Sequence, residues 1–167
     1  RAFLDLAVLG TVADMMPLVG ENRIIAKFGL ERLQQTNKQG LRALMEISGV
    51  KTPLTTGDIG FKLGPRLNAA GRIDDAAIAL DLLLEDDPRQ AREIAIQLDE
   101  LKRSRKEAQE RQVEEAVQEV LAAGLNSDQG IVFASDRWQG GNICLVATHV
   151  VGGFERPGVC LGLGPGR

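Results

Sequence analysis

Leu63-Gly64-Pro65-Arg66-Leu67-Asn68-Ala69-Ala70-Gly71-Arg72-Ile73-Asp74-Asp75-Ala76 sets two arginines, an asparagine, two glycines, a proline and two aspartates between two apolar periodic segments. A plain connector has no need of that mixture. The Pro65 ring fixes φ and biases Gly64 away from helix. Gly64 and Gly71 permit close backbone approach or positive φ. Arg66 and Arg72 carry planar forks of donors that suit phosphate or carboxylate, and Asp74 or Asp75 can cap a following helix. The stretch therefore reads as a shaped loop that presents guanidinium groups. Two uses stay open: binding an anion, or pairing each arginine with a nearby acid such as Asp58 or Asp74.

Outward from this stretch the pattern is mostly helical. Upstream, residues 3–9 are almost wholly apolar and read as a buried helix or strand, ended by Gly10-Thr11-Val12-Ala13-Asp14 and Pro17. Asn22 is a candidate cap for a helix over 23–35 with Ile24, Ile25, Phe28, Leu30 and Leu33 facing inward. A short helix around Leu41 to Ile47 is stopped by Gly49. Thr55 and Thr56 can cap a helix from 57 to 63, and Asp74 or Asp75 opens another that carries Ile78, Leu80, Leu82, Leu83 and Leu84.

Downstream, Asp87-Pro88 is a cap followed by a first-turn proline. The helix it opens runs to Ala123, where Gly124 ends it, and spans roughly 54 Å at about 1.5 Å per residue. Its apolar stripe thins at Lys102-Arg103-Ser104-Arg105-Lys106, a basic run that reads first as a solvated face. Beyond Gly124 the texture changes. Ile131 to Ala134 reads as a buried strand, Asn142 to Val151 as a helix, and Val159 to Leu161 as the next strand: the opening βαβ unit of a second α/β domain.

Composition narrows the function classes. The 167 residues are 44% apolar and 26% charged with net charge −3, which excludes a uniformly basic DNA-coating surface and leaves only local basic patches. With no tyrosine and few aromatics, the core must be aliphatic and alanine-rich. Cys144 and Cys160 stand in apolar runs and read as reduced, buried thiols of a cytoplasmic protein. No apolar run is long enough to span a membrane, and no signal peptide is visible. Both ends read as cut from something longer.

Few residues offer chemistry. Asp14 closes a buried element, where an ionised carboxylate needs a partner or a metal. The bland alternative is a helix or turn cap, and a lone aspartate does not make a metal site. Asp5, inside the apolar run, is a weaker candidate. His149, the only histidine, reads as a surface or capping residue. Trp138-Gln139-Gly140-Gly141 can expose helix-start amides to an anion. No Walker loop, Rossmann glycine pattern or zinc-spaced cysteine pair is present.

The longer words go further. Leu4-Asp5-Leu6-Ala7-Val8-Leu9-Gly10-Thr11-Val12-Ala13-Asp14-Met15-Met16-Pro17-Leu18, followed by Gly20-Glu21-Asn22-Arg23, resembles the fourth motif of RecJ-type single-strand-specific exonucleases, members of the DHH phosphoesterase superfamily. Gly64 to Ala76 resembles the same family's internal signature, and the likeness continues through Leu80-Asp81-Leu82-Leu83-Leu84 and the long helix.

The resemblance implies an α/β protein, predominantly helical over this stretch. Residues 1–87 would be the C-terminal part of a DHH catalytic domain, 88–123 a long connecting helix, and 124–167 the truncated start of the DHH-associated domain. It implies 5′→3′ digestion of single-stranded DNA in repair and recombination, with Mn2+ or Mg2+ as cofactor and single-stranded DNA, held at its 5′ end, as partner. Asp14 matches the family's metal-binding, catalytic aspartate. Arg66 and Arg72, with Asn68 between them, match the substrate-binding signature.

The departures matter too. The family's other metal motifs lie upstream of this stretch. The family's Trp-His-Pro-Gly is here Trp138-Gln139-Gly140-Gly141, and its Gly-Ile-Val-Ala-Ser-Arg is Cys144-Leu145-Val146-Ala147-Thr148-His149. The stretch by itself is expected to be inert as a nuclease and to fold incompletely. Two other readings remain: a DHH-type phosphoesterase for oligonucleotides or cyclic dinucleotides, and a non-catalytic interaction module.

Overall fold

In a computed structural model, the chain is described over residues 3–73, 76–125, 130–136 and 143–163, with the side chains of residues 72 and 73 left out. The described elements run α1 (Leu4–Ala13), α2 (Gly20–Gln34), α3 (Gln39–Ile47), α4 (Thr56–Asp58), a π-helical turn (Ile59–Leu63), α5 (Gly64–Ile73), α6 (Ala77–Leu84), α7 (Pro88–Ala122), β1 (Ile131–Ser135), α8 (Ile143–Phe154) and β2 (Gly158–Gly162). They form two compact units, Arg1–Arg103 and Ser104–Arg167, with the division inside α7.

The first unit is all helical. Its core gathers Val8 and Leu9 of α1, Leu33 of α2, Leu41, Ala43 and Leu44 of α3, Ile59 and Leu63 of the π turn, Ala70 of α5, Leu82 of α6, and Ala91, Ala95 and Leu98 of α7. Small residues allow two close crossings. A Cβ on Gly29 would lie 2.5 Å from Val8 Cβ, and one on Gly40 would lie 1.6 Å from the Leu82 carbonyl oxygen. Glycine is the residue that fits at either place.

Helix ends follow local rules. Asp87 Oδ1 accepts from the amides of Arg89 and Gln90, and Pro88 fills the first turn, where its missing N–H costs nothing. The end of α3 is a Schellman cap: Val50 N–H donates to Met45 O and Gly49 N–H to Glu46 O, with Gly49 at φ +62°. Gly124, at φ +69°, ends α7.

The second unit is a parallel βαβ motif, as the residue pattern anticipates. β1 pairs with β2 in the register Ile131↔Gly158 to Ser135↔Gly162. Val146 and Val150 of α8 pack with Ile131, Phe133 and the α7 residues Ala116 and Val120.

Four expectations are corrected. Gly64 to Ile73 is not a loop but helix α5, directly continuing α4 and the π turn. Pro65 is the reason for the π turn: its ring would clash with the carbonyl four residues back, and the widened turn, with Gly64 N–H donating to Ile59 O, takes up the misfit. In α2 the buried residues are Ala26, Gly29 and Leu33, while Ile24 and Phe28 are exposed. Asn22 lies inside the first turn of that helix, and its amide donates to Pro17 O at 3.1 Å. Leu80 and Leu84 of α6 are likewise exposed, with Leu82 buried. Lastly, both cysteines are free, but Cys144 is exposed because Val146 and Val150 form the seam of α8. Burial, then the neighbouring Cys144, raises the Cys160 thiol pKa. Asp74 and Asp75 lie outside the described residues.

Candidate functional site

Asp14 follows Ala13, the last residue of α1, in the C-cap position and is exposed. The cap is again a Schellman motif: Met16 N–H donates to Thr11 O at 3.2 Å and Met15 N–H to Val12 O at 3.0 Å. Here the left-handed position, where α3 uses Gly49, is held by Met15 at φ 55°. A non-glycine residue there stores local strain beside the carboxylate.

The two quoted motifs meet next to this cap. A Cβ on Gly64 would lie 3.2 Å from Ala13 Cβ, so the end of α1 abuts the start of α5 with nothing bulkier than a methyl between them. Asp14 is the next residue along α1.

The α5 candidates divide by face. Arg66 is 8% exposed. Its Nε and Nη2 donate to Asp99 Oδ1 on α7 at 2.8 and 2.7 Å, and its Nη1 donates to Lys62 O at 2.7 Å. Arg66 thus does have an acid partner, Asp99, while Asp58 is engaged elsewhere and Asp74 lies outside the described residues. Asp58 belongs to the N-terminal capping box of α4: the Thr55 hydroxyl accepts from Asp58 N–H, and the Asp58 carboxylate accepts from Thr55 N–H. Lys62 donates to the other carboxylate oxygen at 2.7 Å. That lysine first, then Thr55, holds the Asp58 carboxyl down at about 2. Six residues on from Arg66, position 72 falls about 120° around the helix axis, on a different face. Asn68 is exposed on the outer side, and the Arg72 side chain lies outside the described residues.

Asp5 is structural. Its buried carboxylate accepts from Lys38 Nζ at 2.8 and 2.9 Å, from Thr36 Oγ1 at 2.8 Å and from Leu6 N–H at 3.0 Å. Burial raises its pKa, but Lys38, Thr36 and Leu6 together win and leave it lowered. His149 is exposed, with Nδ1 donating to Leu145 O at 2.9 Å. Trp138-Gln139-Gly140-Gly141 lies outside the described residues. Among the described residues no three His, Cys, Asp or Glu side chains gather as a metal site, and no helix is long and apolar enough to cross a membrane.

Asp99 is the residue that sequence spacing misses, because it lies 33 positions from Arg66. A signal was there: it stands four residues after Ala95, at the edge of the apolar stripe of α7, where an acid needs a partner.

No protein-family model matches the chain. Among curated proteins it is 42% identical over 161 residues to the single-stranded-DNA-specific exonuclease RecJ of Bacillus subtilis, covering 96% of this chain and 20% of that protein. The match to Escherichia coli RecJ is 37% over 161 residues, covering 92% of this chain and 28% of that protein. Among solved structures, Thermus thermophilus RecJ in complex with Mn2+ superposes with TM-score 0.82 at 31% identity, covering 96% of this chain and 24% of that one. The same protein in complex with Mg2+ gives 0.83 at 30% identity. The chain spans about a fifth to a quarter of the length of these relatives. In sequence and in fold alike, then, the chain is similar over nearly its whole length to a part of the single-stranded-DNA-specific exonucleases named RecJ.

Proposed function

We propose that this chain is part of a metal-dependent 5′→3′ exonuclease that hydrolyses phosphodiester bonds of single-stranded DNA in repair and recombination, in the cytoplasm. The observation that carries the reading is the likeness over nearly the whole chain to RecJ proteins, together with the meeting of its two signature stretches at Ala13 and Gly64.

Asp14 offers one hard oxygen ligand at an exposed helix end, which suits Mn2+ or Mg2+. Such an ion needs several more ligands, and the described residues offer no cluster that supplies them. The remaining ligands, and the rest of the catalytic domain to which 1–87 would belong, come from outside this stretch. When bound, divalent ions of this kind activate water and stabilise charge on the attacked phosphate.

The chain's own part is substrate handling. Asn68, exposed on α5, and Arg72 contact the phosphate backbone. Arg66, held inward by Asp99 and the Lys62 carbonyl, supports this surface from the buried side of α5. The helix 88–123 joins this part to the start of a second domain at 124–167. By itself the segment is inactive as a nuclease.

The test is Asp14→Ala in the full-length protein that carries this chain. Manganese-dependent digestion of a single strand should fall by more than about a hundredfold with the melting temperature unchanged. Undiminished digestion would remove Asp14 from the metal site. Preferential turnover of a dinucleotide over a long strand would reassign the substrate.

A further inference from the structure

Phe61 is 83% exposed. It lies in the π turn that Pro65 imposes, on the outer side of the run from Thr56 to Ile73. The opposite side of that run is buried through Ile59, Leu63, Arg66, Ala69 and Ala70. The other exposed phenylalanines are accounted for: Lys38 Nζ lies 5.7 Å from the Phe3 ring centre and Lys27 Nζ 5.4 Å from that of Phe28. No cation or ring among the described residues covers Phe61. Its neighbour Lys62 is turned to Asp58.

Phe61 and Asn68, seven residues apart, are both exposed, on the side of the run away from the buried Ile59, Leu63, Arg66, Ala69 and Ala70. An aromatic ring and a side-chain amide therefore stand on the same exposed side, about 10 Å apart along the run. That is the combination that holds a single strand without reading its sequence: a π-face for a base, beside donors for the backbone. A duplex keeps its bases stacked and offers none to such a ring.

We propose that Phe61 is a base-stacking residue, its ring receiving one nucleobase of the single strand while Asn68 holds the adjoining backbone. This deepens the exonuclease reading and rests on it.

The experiment measures binding of a fluorescent oligothymidylate by the full-length protein that carries this chain, with chelator present so that the strand is not cut. Phe61→Ala should weaken binding about tenfold, and Phe61→Trp should restore it. On an abasic strand of the same length, wild type and Phe61→Ala should bind alike. Equal binding of the two proteins to oligothymidylate would overturn the proposal, as would an equal deficit on the abasic strand, which would mean that the ring packs against protein. A wild-type protein that binds no single strand would instead defeat the exonuclease reading itself.

Discussion

At the scale of single residues, two ion pairs are placed where truncating one partner matters. Asp5 is 1% exposed and holds Lys38 and Thr36. Its folded-state pKa lies below the ordinary 3.8, so the unfolded chain binds more protons in that range. The stability it contributes is present above pH 3.8 and is lost as pH falls through the lowered native value. Asp5→Asn should cost about 1–3 kcal/mol at neutral pH and flatten the acid limb of the stability curve; thermal melts followed from about pH 3 to 7 check both. Asp99→Ala leaves the buried Arg66 guanidinium without its carboxylate. It should lower stability by about 1–3 kcal/mol, and a Lys62→Ala control, which keeps the Lys62 carbonyl, should cost far less. Equal, small losses in those melts would show that the Arg66–Asp99 pair is dispensable.

Helices are where local chemistry and packing part company. The caps at Asp87, Gly49 and Gly124 need only the neighbouring backbone, and their residues announce them. Pro65 misleads because its rule concerns a regular α-helix. A π turn one residue earlier makes room for the ring, and the chain stays helical through both arginines. Helix faces are harder still. Ile24, Phe28, Leu80 and Leu84 fit an apolar period, yet all are exposed, because α2 and α6 are approached through Gly29 and Leu82 instead. Gly40 tests this. A methyl there would meet the Leu82 carbonyl oxygen at 1.6 Å, so Gly40→Ala must push α3 and α6 apart. A cost of about 1–3 kcal/mol is expected, read as a fall of several degrees in melting temperature. An unchanged temperature would mean that the crossing adjusts freely.

The whole molecule carries two cores of unequal size. Residues 1–103 bury aliphatic side chains from seven helical segments. Among the described residues of 104–167, six buried hydrophobic residues gather around a parallel strand pair. Differential scanning calorimetry should therefore resolve two transitions, with the second unit melting first. Gly40→Ala should move only the upper one and Val150→Ala only the lower. A single transition shifted by both substitutions would show that the two cores unfold together.

By itself the sequence determined the helical class, the caps at Gly49, Asp87 and Gly124, the βαβ pattern after Gly124 and the likeness to RecJ proteins, because each is written in neighbouring residues or in long contiguous words. Tertiary structure alone decided that Arg66 faces inward to Asp99, that Asp5 is consumed by Lys38, and which apolar residues stay in solvent. Those outcomes depend on which surfaces come within a few ångströms across 33 positions of chain, and no local period encodes such a meeting.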